Sequence, residues 1–220
     1  MPLIRPASLP LIHAAEGGSG EIDQADAAAR ALRDDYERWS RLGLGALAYL
    51  GAVLGTLVGL AMLEAAVDVS VGAGRVVVLS IGGAALTIAV VCLLVLYRLW
   101  RTGRRLTIAA AWWLRLPFRA RQRSRRAPFW FAPRTVQYEP RIFTRTTAGA
   151  LLFLVAVFGL SSVFFTDAAR MPLLTAAMVS IGVISALCVC GILGGIMRIT
   201  SGLAEGDSLW IGVRDRVRGE

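Results

Sequence analysis

The sequence predicts an all-α integral membrane protein whose four transmembrane helices form two hairpins, and three observations carry that expectation. Apolar residues make up 56% of the 220-residue chain and mean hydropathy is +0.61, more than a water-soluble globule of this size carries. The excess is gathered into four long runs without ionised side chains. Between the second and third runs lies a connection dominated by arginine.

The first run, residues 42–63 (LGLGALAYLGAVLGTLVGLAML), has neither charge nor proline. At a rise of about 1.5 Å per residue it crosses the roughly 30 Å hydrocarbon layer. Residues 76–97 (VVVLSIGGAALTIAVVCLLVLY) meet the same test between Arg75 and Arg98, and residues 148–166 and 173–197 supply the third and fourth spans. Four crossings place both termini on the same side.

Arginine counts set the expected orientation, because positive residues beside helix ends resist translocation. The short loops 64–75 and 167–172 contain one arginine each, Arg75 and Arg170, whereas the connection from Arg98 to Arg145 contains thirteen against a single acid, Glu139. The central loop and both tails are therefore expected on the cytoplasmic face of the inner membrane. All six tryptophans, Trp39, Trp100, Trp112, Trp113, Trp130 and Trp210, lie outside the spans, as amphipathic rings at headgroup level should.

The two hairpins, 42–97 and 146–198, read as copies. At an offset of 104, Arg41, Gly45, Ala46, Leu47, Leu50, Ala52, Val53 and Gly55 recur as Arg145, Gly149, Ala150, Leu151, Leu154, Ala156, Val157 and Gly159. At an offset of 100, Ser80, Ile81, Gly82 and Arg98 recur as Ser180, Ile181, Gly182 and Arg198. A repeat of this kind is parallel, since each copy starts and ends on the cytoplasmic side.

Residues 1–20, with Pro2, Pro6 and Pro10 breaking a weak apolar stretch and a GGSG close, read as a flexible leader. Residues 21–41 read as a cytoplasmic amphipathic helix with Ile22, Ala25, Ala29, Leu32, Tyr36 and Trp39 on one face. Acid-first pairs at four-residue spacing, Asp26 with Arg30, Asp34 with Arg38 and Glu37 with Arg41, support it from the other faces. Two alanines make that stripe a weak zipper, so docking on the central loop is the expected use.

Gly51, Gly55 and Gly59 form two small-xxx-small steps on one face of the first span, with a matching notch at Gly191 and Gly195 in the fourth. Such faces let helix backbones approach closely in lipid. Contact within the chain is expected ahead of contact between chains. In the 98–145 loop, residues 104–118 read as an interfacial helix with Leu106, Ala109, Trp113 and Leu116 toward lipid, and Pro117 at its end. With Trp100, Trp112, Trp113 and Arg115, the patch Arg119, Arg121, Arg123, Arg125 and Arg126 would meet anionic headgroups at about 1 kcal/mol per residue. Nucleic acid could be gripped by the same mixture of arginine and aromatics, but topology alone accounts for these charges.

What is missing narrows the chemistry. Net charge is +9, yet all 24 basic residues are arginine, so there is no lysine for a Schiff base or a phosphate loop. The single histidine, His13, lies ahead of the spans, and the three cysteines, Cys92, Cys188 and Cys190, lie inside them. Cys188 and Cys190 sit about 200° apart on a helix and cannot chelate together. Glu64, Asp68 and Asp167 fall at the outer ends of spans rather than at mid-membrane. No catalytic, cofactor or metal site is expected. The reading is a non-enzymatic accessory or scaffold subunit that holds a partner, another membrane subunit or a second copy, through the N-terminal helix, the arginine loop and the 199–220 tail around Trp210. The competing reading is a homo-oligomeric pore, channel or membrane-perturbing effector.

Overall fold

The computed structural model describes residues 3–68, 70–120, 140–165 and 171–204. Among these, every regular element is helical. Six α-helices follow in order: α1 (Leu9–Gly17), α2 (Ala25–Tyr36), α3 (Trp39–Asp68), α4 (Ala73–Arg119), α5 (Pro140–Ser161) and α6 (Pro172–Leu203). Short 3-10 turns precede α1 and α2 and follow α5. Four helices are long and apolar enough to cross a membrane, which makes the chain a multi-pass membrane protein.

The supposed leader is ordered instead. A proline within its first turn starts α1, and Gly18, at a φ of 68°, closes it by donating its N–H to the Ala14 carbonyl. Ile12 of that helix is 1% exposed. The second correction concerns α4, which does not stop at Arg98 but runs on for 47 residues, about 70 Å at the α-helical rise. The segment expected as a separate interfacial helix, 104–118, is its continuation, and Pro117 lies inside it.

The described residues form two compact units. Unit 1 comprises Met1–Arg41, Trp100–Thr146 and Gly191–Glu220, and unit 2 comprises Leu42–Leu99 and Thr147–Cys190. They are built by opposite rules. In unit 1 large side chains are inside: Ile12, Leu32, Leu106, Trp113 and Ile199 are each at most 2% exposed and form one cluster with Tyr36 and the alanines of α2 and α4. In unit 2 most of the inside is small, with Ala48, Ala52, Ala66, Ala89, Ala156 and Ala177 buried beside Thr56, Ser162, Thr175 and Ser185, and Ile181 and Val189 as the larger buried residues. Leu47, Leu154, Phe158 and Leu187 point outward there, at 64–71% exposed. Small residues between helices and large apolar ones outside is the arrangement lipid favours, because tails solvate leucine as well as a protein core does.

Close backbone approach locks each hairpin of unit 2. A Cβ placed on Gly55 would lie 2.6 Å from the Ala85 carbonyl oxygen, one on Gly59 would lie 2.6 Å from Leu86 Cγ, and one on Gly51 would lie 2.6 Å from Cys92 Sγ. The glycine face of α3 is thus filled by α4. In the second hairpin α5 meets α6 backbone to backbone, with a Cβ on Gly159 falling 2.8 Å from Gly182 Cα. The hairpins are joined by polar contacts. The Tyr49 and Ser185 hydroxyls lie 2.8 Å apart, and since Ser185 donates to the Ile181 carbonyl, Tyr49 is the donor between them. Glu64, at the outer end of the first span, accepts from the Leu173 and Leu174 amides at 3.3 and 2.7 Å and caps the start of α6.

Candidate functional site

Unit 1 is where the sequence placed its interaction residues, and its geometry grows from α2. Ala25, Ala29, Leu32 and Tyr36 of the expected stripe are buried, joined by Ala28. Trp39 departs from it at 57% exposed, because α2 ends at Tyr36 and α3 starts a new helical phase. The stripe packs in one cluster with Leu106, Ala109, Ala110 and Trp113 of α4. Leu106, Ala109 and Trp113 are among the residues expected to face lipid; they face protein instead, and Leu116 packs against the same cluster.

Tyr36 is the hub. Arg145, 7% exposed, donates to the Tyr36 carbonyl at 2.8 Å and stacks its guanidinium 4.6 Å from the ring centroid. Gly103 and Gly195 leave room for the same ring, and any Cβ at Gly195 would collide with the Tyr36 hydroxyl. Gly191 lies against Trp100. The expected notch at Gly191 and Gly195 therefore serves aromatic rings of unit 1. Arg41 completes the region by donating to the Leu3 carbonyl at 2.6 Å and to Thr102 Oγ1 at 3.0 Å.

Trp113 is 2% exposed and donates Nε1–H to the Leu11 carbonyl at 2.9 Å, which ties α4 to the N-terminal segment. Its role is in the core rather than at a lipid interface. Trp112 meets it edge to face, with centroids 5.0 Å apart, and a Cβ on Gly20 would overlap both rings. Arg115 is half-buried and donates to Ser201 Oγ at 3.2 Å. On the surface Arg105 pairs with Glu16 at 2.9 Å.

The opposite face of α4 is mostly exposed. Arg101, Arg104, Arg105, Ile108 and Arg119 are all exposed, and their spacing of three, four and eleven residues keeps them on a single stripe that also holds the half-buried Trp112 and Arg115. Trp100, 45% exposed, borders it with Arg104 5.8 Å from its ring centroid. Arg121, Arg123, Arg125, Arg126 and the tail around Trp210 lie outside the described residues.

A second charged locus was not foreseen. Asp35 is fully buried, and its carboxylate accepts from the Arg5 backbone amide at 2.9 Å and from Arg38 at 3.4 Å. Beside it an open concavity of about 380 Å³ is lined by Arg5, Asp34, Arg38, Trp39 and Ser40. The sequence signal was present in the run RDDYERWSR, but only folding of the N-terminal segment brings Arg5 to it. No protein-family model, no curated protein and no solved structure matches the chain.

Proposed function

We propose that the protein is a non-enzymatic accessory or scaffold subunit of a membrane complex, in which unit 1 is a folded cytoplasmic module presenting an arginine face to a partner. The observation that carries this reading is the division of α4: one side of its last 20 residues is consumed by the core of unit 1, while the other side exposes Arg101, Arg104, Arg105 and Arg119. Arg105 is engaged by Glu16, and the other three guanidiniums on this rigid helix suit a bidentate acidic partner, a surface patch of carboxylates or a layer of anionic headgroups. The inner-membrane, cytoplasmic-termini orientation rests on the arginine excess of the central connection.

The hairpins are read as a parallel duplication, and the crossing points support it. Gly59 with Gly82 and Gly159 with Gly182 are both sites of close approach, and both members differ by 100. Sequence identities in the first helix register at 104, which is four residues, or about 40°, away on the same face. The homo-oligomeric pore loses its obvious contact, since the glycine face of α3 is already occupied by α4.

The test is charge reversal. Arg101→Glu, Arg104→Glu and Arg119→Glu together should abolish co-purification of a stoichiometric partner from gently solubilised membranes while leaving the tryptophan-detected unfolding of unit 1 unchanged. Native mass spectrometry of the wild-type chain showing only a discrete homo-oligomer, insensitive to the three reversals, would sink the scaffold reading.

A further inference from the structure

We propose that Arg101 and Arg104 form a clamp for the phosphate of an anionic phospholipid at the end of the second span. Depth decides the occupant. The charge-free run of α4 closes at Tyr97, and Arg101 follows four residues, about 6 Å of helix, later. The headgroup layer is roughly 5–7 Å deep on each side of the hydrocarbon, so this arginine leaves the helix inside it.

A second helix marks the same boundary. Arg41, which immediately precedes the charge-free run of α3, donates to Thr102 Oγ1 at 3.0 Å, so the two apolar runs have neighbouring ends. Two residues before each of these come Trp39 and Trp100, 57% and 45% exposed, amphipathic rings of the kind this depth favours. Arg104 leaves the helix about 10 Å past Tyr97 but turns back. Long side chains on a helix lean toward its N-terminus, which for α4 is the side of the span, and the Arg104 guanidinium lies 5.8 Å from the Trp100 ring centroid.

Charge decides which phospholipid. Glu16 engages Arg105, whereas neither Arg101 nor Arg104 has an acidic partner among the described residues. At three-residue spacing their Cβ atoms are about 5–6 Å apart on one exposed face, a gap that a single phosphodiester bridges with N–H donors from both forks. Ethanolamine and choline headgroups offer the same phosphate but bring a cation of their own to two others. Arg119 takes no part, since it stands 22 residues and about 33 Å of helix past Tyr97. The continuity of α4 therefore moves the expected headgroup contact from Arg119 to Arg101 and Arg104. This deepens the reading of the α4 stripe and rests on it only for the exposure of both arginines.

The experiment is native mass spectrometry of the full chain in mild detergent, titrated with phosphatidylglycerol, phosphatidylethanolamine and phosphatidylcholine of matched acyl chains. One glycerol lipid should be retained on the order of tenfold more tightly than either zwitterionic lipid, as two arginines at the membrane surface allow. Arg101→Gln combined with Arg104→Gln should erase that preference. Arg119→Gln should keep it, and tryptophan-detected unfolding should show both variants folded. Equal retention of the three lipids, a preference that survives the double substitution, or one that falls equally with Arg119→Gln overturns the proposal. Displacement of the lipid by soluble glycerol 3-phosphate at equal concentration overturns its membrane origin. Lipid is scored on the purified chain, so a missing protein partner, which would sink the scaffold reading, leaves this result standing.

Discussion

Units 1 and 2 are helical bundles made from the same four long helices, yet one hides its large side chains and the other displays them. Trp113, Leu32 and Leu106 are buried in unit 1, whereas in unit 2 alanine, serine, threonine and glycine fill most of the interior, with Ile181 and Val189, and Leu47, Phe158 and Leu187 face outward. Water rewards removal of apolar area at about 25 cal/mol per Å², so unit 1 is held by its largest residues. Lipid offers no such reward, so unit 2 is held by close approach and a few hydrogen bonds. The same sequence of helices therefore answers to two energetic rules, with the change falling within α3, α4, α5 and α6 rather than between them.

The chain supplies separate reporters for the two rules. The described tryptophans all lie in unit 1, and Cys92, Cys188 and Cys190 all lie in unit 2. Leu32→Ala should have the largest effect, since it empties a fully buried leucine site at a cost of about 2–5 kcal/mol. Tryptophan fluorescence should report a lowered transition while thiol labelling of unit 2 keeps its wild-type midpoint. If both probes shift together by the same amount, the units unfold as one and the comparison fails.

Gly182→Val tests the other rule. Its Cβ would lie 2.7 Å from the backbone nitrogen of Leu160, which cannot swing aside as a side chain can. A loss of about 1–3 kcal/mol is expected, read as earlier thiol exposure with the tryptophan transition unmoved. Gly83→Leu is the control, because a Cβ there meets nothing within 4 Å. Equal damage from both glycines would show that helix propensity, not close approach, sets the stability of unit 2.

Glu64→Gln comes next in size. The carboxylate holds two amides of the first turn of α6, and a neutral amide keeps one acceptor while losing the charge that favours a helix N-terminus. About 1 kcal/mol of destabilisation is expected, a cap-sized effect, again confined to the thiol probe. Glu64→Leu, which removes both acceptors, should cost more than Glu64→Gln; the reverse order would mean that Glu64 merely sits near α6.

The spans and the α2 stripe were legible because hydropathy and a three-to-four spacing are local. The continuation of α4 was not, since Arg98, Arg101, Arg104 and Arg105 mark the end of hydrocarbon and were read as the end of a helix, although arginine is a good helix former. The N-terminal segment carried its own start and stop signals, a first-turn proline and Gly18, but its order depends on Trp113 and Arg105, about a hundred residues away. The concavity was hidden for the same reason, as it needs Arg5 beside Asp35. Glycine faces could be found in the sequence, whereas the surfaces that fill them, α4 for Gly55 and Tyr36 for Gly195, could not.

The smallest effect separates the units most sharply. Tyr49→Phe removes the hydroxyl that Ser185 accepts from and leaves the ring in place. A hydrogen bond surrounded by hydrocarbon would be strong if its unfolded alternative were a bare polar group, but membrane helices find other partners, and such bonds average about 0.6 kcal/mol. Ser185 retains its bond to the Ile181 carbonyl in the variant, so no buried group is orphaned on that side. A double-mutant cycle of Tyr49→Phe with Ser185→Ala should return a coupling near that value in thiol-labelling stability. A coupling above about 2 kcal/mol, outside the range of such bonds in lipid, would place this part of unit 2 under a different rule from the glycine crossings around it.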